Sequence, residues 1–279
     1  MMARFFAACV LLCMSGSLWA QGLVISIHPL YLIAKEVTKG VETPTLLLGN
    51  QSGHDVQLTP DNRKAVQDAE LVIWLGKAHE APLDKLLGHN PKAISLLNSK
   101  ILGTFPVRDV QGKPIANTID THVWLDPNNA VRIGFFIAAL RSQQHPEHKA
   151  QYWANAKTFA QQLLVRSKQV GTYRNTVNYW SYHDAYQYLE HSLNLHLAGA
   201  LSTDPHIPAT VTQIKYLNDH RPYPQMCLLA EGQANSQYQI LQPVRFQAVD
   251  ESMSAENDFI QAWTDLAKNI QNCARNIRK

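Results

Sequence analysis

Three histidines occupy similar places in the sequence, each at or near the point where a strand-like run gives way to a helix-like run. They are His54 in GNQSGHDVQLTPD, His122 in THVWLDP and His183 in NYWSYHDAY. Two carboxylates, Glu231 and Asp250, close further strand-like runs. Neutral imidazole nitrogens and carboxylate oxygens suit Zn²⁺ in four-coordinate geometry, and they also suit manganese. These residue types are those of a divalent-metal site, provided that the fold brings them together.

A histidine with a satisfied hydrogen bond in the core is the more common case, so the residue types alone leave both interpretations open. Most of the other histidines are expected to be structural or incidental. Four of them lie in polar or helix-surface contexts: His79, His89, His191 and His220. The HPEH pair, His145 and His148, is at most a weak surface metal site, and His28 ends the first predicted strand, where a structural role is expected.

The elements that must position these residues alternate between strand-like and helix-like runs in both halves of the chain. Apolar runs such as LVIWLG (71–76) and QMCLLAEG (225–232) are typical of strands buried on both faces. Helix-start signals follow several runs, as in TPDNRK and in Asp126-Pro127. This alternation predicts an α/β fold with mostly parallel sheets. In such sheets ligands bind at the carboxyl ends of the strands, where the three histidines would gather.

The chain divides into an N-terminal signal and two halves. One arginine, a short apolar stretch and small residues ending at Ala20 are typical of a secretory signal peptide over 1–20, cleaved near Ala20. The segment 144–173 predicts one long helix near the middle of the mature chain. We therefore expect an N-terminal α/β lobe over 21–143, a linking helix over 144–173 and a C-terminal α/β lobe over 174–279.

Composition excludes several classes of protein. The 279 residues are 46% hydrophobic and 17% charged, which argues against a disordered chain, and no long Lys/Arg run is present, which argues against a nucleic-acid partner. Cleavage near Ala20 would leave two cysteines, Cys227 and Cys273. In an oxidising compartment such a pair favours a disulfide, and the absence of a CxxC makes a metal role for it the weaker alternative.

Three segments, GHDVQLTPD, THVWLDP and HDAYQYL, together resemble the signature segments of metal-binding solute-binding proteins of ABC importers. The resemblance is strongest to the zinc-uptake branch (ZnuA-like, of the metal-binding cluster A-I type) and spans nearly all of the mature chain. It implies two α/β lobes, each with a mostly parallel sheet flanked by helices, joined by one long helix, with the metal in the cleft. The residues implied as metal ligands are His54, His122, His183 and Asp250, and those implied as a disulfide are Cys227 and Cys273.

Two departures from that family pattern bear on the site. Gly53 stands where zinc-branch members often carry a glutamate before the first ligand histidine, which places more weight on Asp250 or on a bound water. The segment ILGTFPVRDVQGKPIANTID (101–120) contains no histidine, whereas many zinc-uptake members carry a His/Asp-rich loop there. Auxiliary zinc capture by this segment is therefore not expected.

The resemblance implies a soluble, monomeric periplasmic carrier that binds Zn²⁺ and delivers it to the membrane permease of a zinc ABC importer. The alternatives within the same fold are a manganese or iron carrier and a metal-dependent adhesin. A secreted zinc hydrolase is the alternative from another class. It is disfavoured because His79-Glu80 lacks the second histidine of an H-E-x-x-H motif. The chain is therefore expected not to be an enzyme.

Overall fold

The computed structural model describes residues 21–49, 56–232, 240–241 and 243–275. The predicted signal peptide and the predicted ligand His54 lie outside the described residues. Within the described ranges, no helix is both long enough and apolar enough to cross a membrane.

Strands and helices alternate along the chain, as predicted. The strands are β1 (Gln21–Ile25), β2 (Thr45–Leu46), β3 (Ala69–Trp74), β4 (Ala93–Ser95), β5 (Val177–Ser181), β6 (Leu195–Ala200), β7 (Met226–Ala230) and β8 (Val244–Ala248). The helices are α1 (His28–Thr38), α2 (Pro60–Asp68), α3 (Asp84–Leu87), α4 (Pro127–Gln144), α5 (Lys149–Val170), α6 (Gln187–Leu193), α7 (Val211–Asp219) and α8 (Phe259–Arg275).

Two four-stranded sheets form the cores of two lobes. The first has the order β2-β1-β3-β4 and the second the order β6-β5-β7-β8, and every strand pair is parallel. In each sheet the chain winds first to one side and then to the other, so each sheet has a switch point at the carboxyl ends of its central strands. The predicted two-lobe α/β fold with parallel sheets is confirmed.

The linking helix is shorter than the predicted span of 144–173. The structure has α4 ending at Gln144, a 3₁₀ turn at Pro146–His148, and then α5 from Lys149 to Val170. Pro146 cannot donate a helical hydrogen bond and disfavours helical backbone at the residue before it, which is why the chain breaks at His145. At the other end, Gly171 has φ +76°, a left-handed conformation that ends the helix cheaply only at glycine.

Helix α5 packs against α1 and α4 on the side of the first lobe and against α8 on the side of the second. Phe159 on α5 meets Phe259 on α8 edge-on, with ring centroids 5.7 Å apart. A further tie holds α8 to its own sheet, because a disulfide joins Cys227 in β7 to Cys273 in α8, both fully buried. The disulfide predicted for this pair is therefore present.

Candidate metal centre

The predicted ligand His122 lies at the start of a buried 3₁₀ turn, Val123–Leu125, which leads directly into α4. Asp126 ends the turn, and its side chain caps α4 by accepting a hydrogen bond from the backbone N–H of Asn128 (2.8 Å). The indole N–H of Trp124 donates to the backbone carbonyl of Glu251 in the second lobe (2.8 Å). The turn that carries His122 is therefore anchored on both lobes.

The ring of His122 is oriented by Asp120. The Nδ1 atom of His122 lies 2.8 Å from Oδ1 of Asp120, and the backbone N–H of His122 donates to the same oxygen (3.1 Å). Asp120 is held in turn by Gln187 Nε2 on its second oxygen (3.1 Å) and by the hydroxyl of Tyr188 on its backbone carbonyl (2.7 Å). A carboxylate accepts only, so we assign the Nδ1–H tautomer to neutral His122, which leaves Nε2 as the ligand atom.

Burial opposes protonation of His122, but the hydrogen bond to Asp120 and the charge of that carboxylate outweigh it. The net result is a pKa of His122 raised above the ordinary 6.5. A metal ion requires the neutral ring, so protons compete with metal at this residue at a higher pH than at an ordinary histidine.

The predicted ligand His183 follows β5 at the carboxyl edge of the second sheet. Burial, together with the neighbouring charge of His122, lowers its pKa to about 4, so the ring is neutral at neutral pH. Its Nε2 is buried and has no hydrogen-bond partner among the described residues. The ring centroids of His183 and His122 are 5.7 Å apart. A buried, neutral imidazole nitrogen without a hydrogen bond is typical of a metal ligand.

Glu251 supplies the carboxylate of the site. Its Oε1 lies 3.4 Å from Nε2 of His183, and its Oε2 lies 3.5 Å from the hydroxyl of Tyr186. Glu231, at the end of β7, hydrogen-bonds to Glu251. This bond, removal from water and the charge of Glu251 raise the pKa of Glu231 to about 8. Glu231 is therefore protonated at neutral pH.

Ligand atoms of His122, His183 and Glu251 all lie within 4.8 Å of one another, and all three residues are buried. Ligands bound about 2.0–2.1 Å from a tetrahedral ion lie roughly 3.4 Å from each other, which matches the separation of His183 and Glu251. Small ring movements would bring in the third ligand. Two imidazoles and one carboxylate from distant parts of the chain therefore form a compact donor set.

The structure brings together two of the four predicted ligands, His122 and His183, whereas His54 lies outside the described residues. Asp250 is directed elsewhere. Its carboxylate accepts hydrogen bonds from the Ser252 hydroxyl (2.5 Å) and from the backbone and side chain of Ser254 (2.7 and 2.8 Å). Its oxygens thus organise the loop after β8, and the neighbouring Glu251 faces the histidines. Sequence reasoning missed Glu251, although Ser252 and Ser254 after Asp250 were an available signal.

One histidine expected at the surface is buried beside the site. His79 is 5% exposed, its Nδ1 lies 2.8 Å from the hydroxyl of Thr121, and its ring meets Trp124 edge-on with centroids 5.4 Å apart. The expectation of a surface position was wrong, because the turn after β3 folds inward against the His122 turn. His79 forms part of the wall of the site.

Comparison with known proteins shows which family the sequence matches. A family model described as zinc-uptake complex component A, periplasmic (ZnuA), matches residues 23–273. The high-affinity zinc uptake system protein ZnuA of Brucella abortus is 28% identical over 242 residues, covering 71% of this chain and 72% of that protein.

Solved structures of similar proteins share the fold. The laminin binding protein Lmb of Streptococcus agalactiae, described as bifunctional with adhesin and metal transporting activity, has a TM-score of 0.73 at 19% identity over 91% of this chain and 99% of its own. Zn(II)-bound AdcA from Streptococcus pneumoniae has a TM-score of 0.71 at 17% identity, covering 91% of this chain and 57% of its own. At these identities the likeness establishes the fold.

Proposed function

Because the chain belongs to the periplasmic zinc-uptake component A (ZnuA) family, we propose that it captures Zn²⁺ between its two lobes and delivers it to the membrane permease of an ABC importer. The observation that carries this proposal is the buried group of His122, His183 and Glu251. The cargo ion binds to two neutral imidazoles and a carboxylate. His54, predicted from its sequence motif, is the proposed additional ligand.

The donor set favours zinc over manganese or iron carriage. Nitrogen-rich, four-coordinate sites suit Zn²⁺, whereas Mn²⁺ favours oxygen donors in higher coordination. Glu251 is the carboxylate we propose for the site in place of Asp250, whose oxygens are held by Ser252 and Ser254. The name of the Brucella abortus relative, a high-affinity zinc uptake system protein, supports the same choice.

The proposed action is binding and release without a chemical step. The family consists of solute-binding components, which need no general base. The secreted, periplasmic location rests on the predicted signal peptide over 1–20 and on the location of the family. Release to the permease is the step that distinguishes a carrier from a store of zinc.

Zinc affinity of purified variants tests the proposal. We expect His122→Ala, His183→Ala and Glu251→Ala each to weaken zinc binding by at least about 100-fold, because each removes a direct ligand. The matched control is His220→Ala, since His220 is exposed and its ring hydrogen-bonds to the carbonyl of Tyr216 on the preceding helix (2.9 Å). The measurement is competition against a chelator of known zinc affinity.

Two further variants test whether Glu251 or Asp250 supplies the carboxylate ligand. Asp250→Asn keeps most of the loop hydrogen bonds and should leave zinc affinity within a few-fold, whereas Glu251→Gln should weaken it strongly. The reverse ranking would make Asp250 the ligand. Tight zinc binding in both histidine variants would refute the site, and tighter binding of Mn²⁺ than of Zn²⁺ would refute the choice of cargo.

A further inference from the structure

The segment from Gly103 to Asp120, which we call the crossing segment, leaves the first lobe and lies on the second before it returns to His122. At its start, Gly103 exchanges two hydrogen bonds with the side chain of Asn129 on α4 (2.9 and 2.8 Å). Farther along, the carbonyl of Val110 accepts from the backbone N–H of Ala200 in β6 (2.9 Å). The crossing segment therefore hydrogen-bonds to the edge of the second sheet.

The edge of the second sheet is shaped for this contact. Gly199 in β6 has φ +145°, and a Cβ there would lie 3.2 Å from the carbonyl of Val110 and 2.5 Å from Leu217. Only glycine permits so close an approach. Gln213 on α7 adds a hydrogen bond from its side-chain amide to the same carbonyl (3.1 Å). The crossing segment is thus a built contact with the second lobe.

Arg108 anchors the crossing segment through buried ion pairs. Its Nε and Nη2 donate to both oxygens of Asp184 (2.7 Å each), and its Nη1 and Nη2 donate to Glu190 (2.9 and 2.8 Å). Glu190 is itself held by the hydroxyl of Tyr179 and the backbone N–H of Leu197 (2.8 and 3.0 Å). The side chains of Arg108 and Asp184 are only 8% and 7% exposed, so this bidentate pair is shielded from solvent.

The crossing segment and the partner of Arg108 reach residues beside both histidine ligands. Asp184 follows His183 in the chain, and the crossing segment ends at Asp120, which orients the ring of His122. Gln187 on α6 donates to the second oxygen of Asp120 (3.1 Å) and so ties the end of the segment to the second lobe. The backbones that carry the two histidines are therefore connected through one set of buried polar contacts.

We infer that the crossing segment is a positioning element of the metal site, with Arg108 as the residue that fixes the spacing of His122 and His183. This inference rests on the proposed function. The segment contains no histidine, and Arg108 contributes to zinc binding through geometry. Because its ion pairs are buried, Arg108 holds Asp184 in one place and transmits that constraint to the adjacent ligand.

A second buried arginine provides a matched control. Arg141 on α4 makes the same kind of bidentate pair with Glu42 (2.7 Å to each oxygen) and also contacts Glu70 (3.2 Å). Its side chain is 2% exposed. Arg141 contacts none of the ligand-bearing turns through these bonds, so loss of its pairing should affect stability without affecting the metal site.

The experiment compares Arg108→Lys with Arg141→Lys in the mature, disulfide-bonded protein. We expect both variants to melt at lower temperature, because lysine cannot make the bidentate pair. Only Arg108→Lys should weaken zinc binding, by about tenfold, the lower end of the effect of supporting contacts on metal affinity. It should also shift the visible absorption of bound Co²⁺, which reports ligand geometry, whereas Arg141→Lys should leave that spectrum unchanged.

Two results would overturn the inference: zinc affinity and Co²⁺ spectrum of Arg108→Lys equal to those of the wild type, or an equal loss of affinity in both arginine variants. If Arg108→Lys does not fold, Gln187→Ala is the substitute. It removes the hydrogen bonds to Asp120 and to the carbonyl of Pro106 (3.1 and 3.0 Å), and it should weaken zinc binding by about fivefold. Wild-type protein and His183→Ala, titrated in parallel, separate this inference from the proposed function, because equal zinc binding by those two would contradict the metal site itself.

Discussion

Replacing Asp120 by asparagine should weaken zinc binding in a manner that depends on pH. Asparagine has the same shape, and its oxygen retains the position that accepts from Nδ1 and from the backbone N–H of His122, now 2.8 and 3.1 Å away. The substitution removes the negative charge that orients the imidazole and increases its basicity, and it removes the oxygen that accepts from Gln187 Nε2 (3.1 Å). Supporting contacts of this kind are worth roughly 10- to 100-fold in metal affinity.

The lower end of that range applies to Asp120→Asn, because both hydrogen bonds from His122 retain an acceptor. We expect zinc binding to weaken about tenfold at pH 8, which corresponds to about 1.4 kcal/mol. Alanine in place of Asp120 removes the acceptor as well and should cost more. The control is Asp219→Asn, since Asp219 is an exposed partner of Lys215 on α7.

The pKa of His122 determines how the effect of Asp120→Asn on zinc affinity changes with pH. Despite burial, Asp120 raises the pKa of this ring above 6.5, so in the wild type protons displace zinc at a higher pH than at an ordinary histidine. Asp120→Asn removes the raising effect and therefore lowers the pKa of His122. Proton competition then begins at lower pH in the variant, and the ratio of its Kd to the wild-type Kd should shrink between pH 8 and pH 6.

Chelator competition across this pH range at fixed ionic strength measures the ratio directly. Protonation of the other groups at the site affects both proteins and largely cancels. A ratio that stays constant, or that grows as the pH falls, would refute the assignment of Asp120 as the residue that sets the basicity of His122.

Three further predictions concern the proton on Glu231, the hydrogen bond of Trp124 between the lobes, and the disulfide. Zinc binding at pH 7 should release about one proton from Glu231, whose pKa of about 8 falls once the ion neutralises Glu251. Calorimetry in buffers of different ionisation enthalpy measures this release, and an undiminished release from Glu231→Gln would contradict it. Trp124→Phe should lower the free energy of unfolding by about 1–3 kcal/mol, because a buried carbonyl loses its 2.8 Å donor. Urea unfolding of the metal-free protein measures the loss, and unchanged stability would argue against that bond. Replacing both Cys227 and Cys273 by alanine should cost about 4 kcal/mol for a sequence separation of 46 residues. Equal unfolding midpoints for this variant and the wild type would show that the disulfide does not stabilise the fold.

The fold and half of the predicted ligand set follow from local sequence signals. Apolar runs closed by glycine or by capping residues mark the strand ends, and parallel sheets place those ends together. The strand and helix boundaries predicted that His122 and His183 lie near each other, and the resemblance to the metal-binding family implied that they are ligands. The positions of strand and helix ends are set by nearby residues, which is why they can be predicted from the sequence.

The choice between Asp250 and Glu251 depends on the direction of a loop. In QAVDESM two acids are adjacent, and a shift of one residue reverses which side chain faces the cleft. The serines two and four positions after Asp250 are the available signal, since Asp side chains readily accept hydrogen bonds from the residues that follow them in turns. Ser252 and Ser254 use the Asp250 carboxylate in this way.

The role of the crossing segment could not be predicted because its contacts are remote in sequence. Arg108 meets Asp184 and Glu190 across 76 and 82 residues. The segment has no hydrophobic period, and its one β-bridge, between Arg108 and Pro114, gives no signal in composition. The burial of His79 could not be predicted for a similar reason: its neighbours in sequence are polar, whereas its packing partner Trp124 is remote in sequence.

The two tryptophans at the lobe boundary have a consequence for the order in which the metal site assembles. Trp124 of the His122 turn donates to the carbonyl of Glu251, and Trp263 of α8 donates to the carbonyl of Leu125 (2.9 Å). The ligand-bearing turns of the two lobes therefore brace each other, and neither is complete until both halves of the chain have folded. A chain that has emerged or folded only in part lacks the assembled site. The donor set of His122, His183 and Glu251 is therefore complete only when both lobes have folded against each other.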